Sequence, residues 1–150
     1  MSVLSLRIPF GGSLLAVLWS ATLVGQTRVD TAATVGAAEK AAQAWLAIVD
    51  KGDVAKSWDE GATVFQLAVT QAKWEQAVKS ARGPFEPFGV RRRIMARYTT
   101  EPPNAPPGQY VLLQYNTNVS GGRHVVETVV PVLDGKRGWR VSGYWVRLDQ

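Results

Sequence analysis

The chain has 150 residues, 17 Lys and Arg against 12 Asp and Glu, a net charge of +5 and no cysteine. That length holds one domain, and the missing thiols exclude disulfides, a cysteine nucleophile and a Cys-ligated metal. From Gln26 to Phe85 seven cations balance seven anions, whereas nine face five from Glu86 to Gln150. A surplus of that size argues against a nucleic-acid partner.

Residues 1–25 have the pattern of a secretory signal peptide. Arg7 is the only charge before Arg28, and the apolar run Ser13-Leu-Leu-Ala-Val-Leu-Trp-Ser-Ala-Thr-Leu-Val24 is closed by Gly25. The run falls short of the ~20 apolar residues that span a bilayer. The expected product is exported, periplasmic or secreted, with no stable membrane anchor after cleavage. Residues 26–35 then read as a mobile polar lead and 36–150 as the folded domain.

Three helices are expected next. Ala37, Ala41, Ala44, Trp45 and Ile48 recur at helical steps over 36–49. Gly52 can take the left-handed turn that ends this helix, and Asp53 caps a second one carrying Val54 and Trp58. The second helix weakens at Gly61, and residues 64–69 read as an apolar continuation. Thr70 caps the third helix, over 71–81, which Gly83-Pro84 stops.

The period changes after Pro87. Residues 90–100, 110–119, 123–133 and 138–148 are rich in β-branched and aromatic side chains and read as four strands. The linker Glu101-Pro-Pro-Asn-Ala-Pro-Pro-Gly108 must be a loop. Helices followed by strands give an α+β fold with an antiparallel meander. Treating Gly121-Gly122 and Asp134-Gly135 as two-residue hairpin turns sets Tyr115 opposite Thr128 and Val130 opposite Trp139. Leu113, Tyr115, Val126, Val130, Trp139, Val141 and Trp145 then form the core face. Gln114, Asn116, Glu127, Arg140, Ser142 and Tyr144 lie on the outer one.

No catalytic, cofactor or metal constellation emerges. His124 is the only histidine, opens a strand beside a glycine turn, and has no nucleophile or orienting carboxylate in a recognisable motif. Glu127 and Arg140 read either as a cross-strand pair worth about 0.2–1 kcal/mol or as part of a polar recognition site with Gln114, Asn116 and Tyr144. The run Arg91-Arg92-Arg93, with Arg97, is read as a solvated strand margin; its alternative is contact with an anionic surface through Arg91, Arg93 and Arg97.

Several segments carry a family resemblance: Trp45-Leu-Ala-Ile-Val-Asp-Lys-Gly-Asp53, Ser57-Trp58, Tyr98-Thr-Thr, Gly108-Gln-Tyr-Val-Leu-Leu-Gln-Tyr115, Val126-Glu-Thr-Val129 and Trp139-Arg-Val-Ser-Gly-Tyr144. Over residues 44–147 the chain resembles exported bacterial proteins of the domain of unknown function 4019 family, which implies a signal peptide and one small α+β domain. More loosely it is similar to the cystatin-like or nuclear-transport-factor-2-like cone, in which a curved sheet wraps a helix. That likeness implies an interior filled by Trp45, Trp58, Trp74, Trp139 and Trp145, with Tyr98, Tyr115 and His124 near the mouth. The function expected is a non-enzymatic periplasmic binding module that self-associates as a homodimer or meets a protein partner through its polar sheet face. Its rivals are a small-molecule binder or weak enzyme using the cone interior, and an envelope-surface binder.

Overall fold

The computed structural model describes residues 30–149; residues 1–25, read above as a signal peptide, lie outside them. Four helices come first: α1 (Thr31–Asp50), α2 (Val54–Asp59), α3 (Thr63–Ala68) and α4 (Gln71–Arg82). The strands β1 (Arg91–Thr99), β2 (Tyr110–Asn118), β3 (His124–Leu133) and β4 (Trp139–Leu148) follow as one antiparallel sheet in sequence order. This is the expected α+β meander, and α1 packs against all four strands.

The helical region differs from expectation at three points, the first being that Asp53 precedes α2 without the expected side-chain capping bond. The Asp30 carboxylate accepts hydrogen bonds from the Ala32 and Ala33 amides, so α1 runs through 31–35, part of the expected mobile lead. The apolar continuation at 64–69 is largely a separate helix, α3, because Ala62 is extended (ψ 151°) and interrupts the run after α2; the turn at Gly61 before it is tight. A Cβ there would lie 2.6 Å from the Phe65 ring. Gly52 takes the left-handed conformation at φ +79°, and Thr70 caps α4 through the Lys73 amide, both as the sequence indicates.

The larger correction concerns register. The β2–β3 connection is longer than a two-residue turn: Val119 and Arg123 are joined by a backbone hydrogen bond around Ser120–Gly122. Asn118 therefore faces His124 and Tyr115 faces Glu127, one residue from the two-residue alignment. Such a slip carries each side chain of β3 to the opposite face relative to β2. The β3–β4 connection is also longer, with a 3₁₀ turn over Gly135–Arg137. Along β4 the pairing shifts between Val130 and Pro131. Pro131 has no N–H for the ladder, Ser142 is the extra residue opposite it, and the Ser142 hydroxyl donates to the Val130 carbonyl at 2.8 Å.

The inner face accordingly holds Leu113, Tyr115, Thr117, Glu127, Val129 and Tyr144 against α1. Trp45 and Trp74 are buried beside Tyr144, with ring centroids 5.5 and 6.3 Å from it. Their indole N–H groups end on Ser57, one on its carbonyl at 2.7 Å and one on its hydroxyl at 2.9 Å. Trp58 and Trp139 are half-buried. Trp145, expected in the core, stands 59% exposed on the outer face.

Candidate functional site

Two regions stand out: a buried ionic network on the inner face and a groove on the outer face.

The network begins where α1 and α4 end. Asp50, the last residue of α1, accepts from Arg82 at 2.7 Å and from Arg91 at 2.6 and 2.9 Å. Arg82, the last residue of α4, is 1% exposed and also donates to Glu86 at 2.9 Å and to the Tyr144 hydroxyl at 2.9 Å. Its guanidinium lies 3.7 Å from the centre of the Phe88 ring, a stacking that weakly hydrated guanidinium tolerates better than ammonium. Glu127 is completely buried, and both its oxygens are engaged. Oε2 accepts from Thr117 and Arg91 at 2.6 Å each. Oε1 accepts from Tyr144 at 2.6 Å and Arg91 at 3.1 Å, with Arg82 at 3.5 Å. No buried side-chain nitrogen or oxygen among the described residues lacks a partner, the condition under which buried charges are tolerated.

The electrostatics follow from this wiring. Burial works against ionisation of Asp50, but the hydrogen bonds and charges of Arg91 and Arg82 outweigh it and hold the carboxyl below its ordinary value. Burial alone would lower Arg91; its bonds to Asp50 and Glu127 raise it instead. The Tyr144 phenol is pushed upward, first by burial and then by the Glu127 charge, so it remains a hydrogen-bond donor. Tyr115 is raised by burial and by Glu39, which accepts its hydroxyl at 3.3 Å.

The structure redistributes the residues singled out from sequence. Gln114, Asn116 and Arg140 lie on the outer face, but Glu127 and Tyr144 are inside, so the five do not form one surface. Glu127 pairs with Arg91 and Arg82, and Arg140 pairs with Glu60. The cross-strand pair between Glu127 and Arg140 does not form, because the register separates them. Arg91 and Arg93 point inward to Asp50, Glu127 and Glu39, leaving Arg97 as the outward member of the expected basic trio. Tyr98 pairs with Val111 at one end of the sheet and His124 with Asn118 at the other, with Tyr115 between. Tyr98, Tyr115 and His124 do not converge.

Asp50, Arg82 and Thr117 belong to the network but carry no sequence signal of their own. An acid and a base ending two helices read as solvated positions. Only the register, which brings Glu127 inside, gives them an anion and a cation to meet.

On the outer face, cross-strand rows follow directly from pairing. Arg92, Asn116, Val126 and Arg147 form one; Met95, Gln114, Thr128 and Trp145 form the next. Beyond them a groove of about 960 Å³ opens between α3 and the proline-rich loop, floored by Leu112, Val130 and Trp145. Leu67 of α3, 84% exposed, stands on its wall.

Among the described residues no group of three or more His, Asp or Glu could hold a metal ion. No helix there is long and apolar enough to cross a membrane.

Fold and network together define a small α+β domain whose inner face is closed by aromatic packing and ion pairs. Residues 41–144 match the family model described as protein of unknown function (DUF4019), and the chain belongs to that family. No curated protein and no solved structure matches it.

Proposed function

We propose that the domain is a non-catalytic binding module, exported through its N-terminal segment, that recognises its partner or ligand with the outer face of the sheet. The observation that carries this reading is the groove between α3 and the proline-rich loop, where Leu67 and Trp145 leave large apolar surfaces in water. Scattered exposed apolar residues need no explanation, but two that border one concave surface mark an interaction site.

The inner face supports the same reading. A general base needs a free lone pair within reach of substrate, whereas Glu127 is enclosed and its oxygens accept from Arg91, Thr117 and Tyr144. The network ties α1, α4 and all four strands together and serves as framework. On this view α1 and the sheet correspond to the filled cone of nuclear-transport-factor-2-like proteins, a likeness favoured by α1 meeting all four strands.

Native mass spectrometry of protein matured and purified from the envelope of its expression host tests the proposal. A co-purifying partner or added small mass is expected on the wild type and should be lost from Leu67→Asp and Trp145→Ser. A partner or adduct retained by both variants would place recognition elsewhere.

A further inference from the structure

We infer that the outer-face groove takes an anionic amphiphile: one apolar chain laid along the floor, with a single carboxylate or phosphate head held by Arg97. This rests on the outer face being the recognition surface and adds the chemical class of its ligand.

The groove has the dimensions and walls for such a molecule. Its volume of about 960 Å³ lies within the ~300–1,000 Å³ usual for ligand sites. Leu67, Leu112, Val130 and Trp145 present carbon along its length. Pro102, Pro103 and Pro106 form most of the facing wall, with Asn104 and Ala105 between them, and proline supplies no N–H. A wall poor in donors suits methylene groups better than a peptide backbone, which would leave its carbonyls unpaired.

The head is specified by Arg97, which lines the groove and is exposed. Among the described residues it belongs to no ion pair, whereas Arg82, Arg91, Arg93, Arg137 and Arg140 each hold a carboxylate. Glu101 also lines the groove, and its charge favours a singly charged head over a more highly charged one.

A second copy of the chain fits this face poorly. Among the described residues Arg92, Arg97 and Arg147 belong to no ion pair and outnumber the acids beside them, Glu101 in the groove and Asp149 next to Asn116. Two such faces would set cation against cation.

The test follows indole N–H resonances of the ¹⁵N-labelled mature protein as decanoate or decanol is added below micelle-forming concentration. Trp45, Trp58 and Trp74 donate to internal acceptors and act as internal references for Trp145. Decanoate should move the Trp145 signal and bind at least about tenfold more tightly than decanol, about 1.4 kcal/mol. Arg97→Gln should abolish that preference without changing decanol affinity, and Leu67→Asp should weaken both. Equal binding of the two probes would overturn the anionic head while leaving an outer-face site standing. Absence of any Trp145 response to either probe would overturn the amphiphile altogether. Sedimentation with phosphatidylglycerol vesicles but no response to monomeric decanoate would assign Arg97 to a membrane surface and overturn the proposal. A homodimer by analytical ultracentrifugation, with Trp145 protected in it, would do the same in favour of a second copy.

Discussion

Replacing Glu127 by Gln tests the inner network most directly. The substitution keeps the shape but removes the negative charge that Arg91 meets at 2.6 Å and Arg82 at 3.5 Å. It also points an amide N–H₂ at donors, since Thr117, Tyr144 and Arg91 all donate to this carboxylate. Removing one partner of a buried pair costs about 3–5 kcal/mol, out of a total near 5–15 kcal/mol for a domain of this kind. Asp50 and Glu86 remain near the two arginines, which favours the lower half of that range.

Urea unfolding followed by tryptophan emission reads the effect, because Trp45 and Trp74 lie against Tyr144. A loss of about 3 kcal/mol at a slope near 1.5 kcal/mol/M moves the midpoint by about 2 M. The corresponding drop in Tm is roughly 10 °C. The cycle with Arg91→Gln should show strong coupling, the double variant losing less than the sum of the singles. An exposed Glu127 paired across the strands would instead cost about 0.2–1 kcal/mol. A measured loss below 1 kcal/mol would therefore refute both the buried network and the register that creates it.

Tyr144→Phe removes the 2.6 Å donor to Glu127 and the acceptor used by Arg82, and should cost about 1–3 kcal/mol in the same urea assay. The lowered pKa of Asp50 contributes stability that is present above its ordinary value of 3.8 and lost as pH falls through the lower folded one. Asp50→Asn should thus be less stable at neutral pH and show a shallower acid limb; parallel limbs in pH-dependent unfolding would contradict this. A Cβ at Gly143 would fall on the outer edge of the Trp145 ring. Because Trp145 is 59% exposed and free to swing, Gly143→Ala should shift the Trp145 indole resonance with a stability change below about 1 kcal/mol. A loss of several kcal/mol would instead mean that the ring is held in place.

The order of elements was legible because it rests on local signals. Gly52, Thr70 and Gly83-Pro84 mark helix ends, and the change to alternating Val, Tyr and Trp after Pro87 marks strands. Faces were less legible because they depend on counting through turns. Gly121-Gly122 invites a two-residue hairpin, but Gly121 and Gly122 sit inside a longer turn with φ of +72° and +69°. One residue of difference moved Glu127 from surface to interior. In β4, the extra residue at Ser142 shifts phase again, which is how Tyr144 enters the core and Trp145 leaves it. Hydrophobic patterning alone could not decide this, since Tyr144-Trp145-Val146 is apolar on either face.

The uneven charge of the sequence has a spatial counterpart. Three acids of the neutral half, Glu39, Asp50 and Glu60, are lent to Arg93, Arg91 and Arg140 of the basic half. Asp134 holds Arg137 locally. Half of the strand cations, Arg91, Arg93 and Arg140, are consumed by this exchange and describe the framework, not a ligand. Among the described residues those left without ion pairs on the sheet are Arg92, Arg97 and Arg147, and pairing places all three on the outer face. A net charge of +5 is too diffuse to identify a partner when spread over a chain. Of these three arginines only Arg97 lines the apolar groove, with Glu101 beside it, so the preference inferred for that surface is for one singly charged anion at one edge of an oily floor.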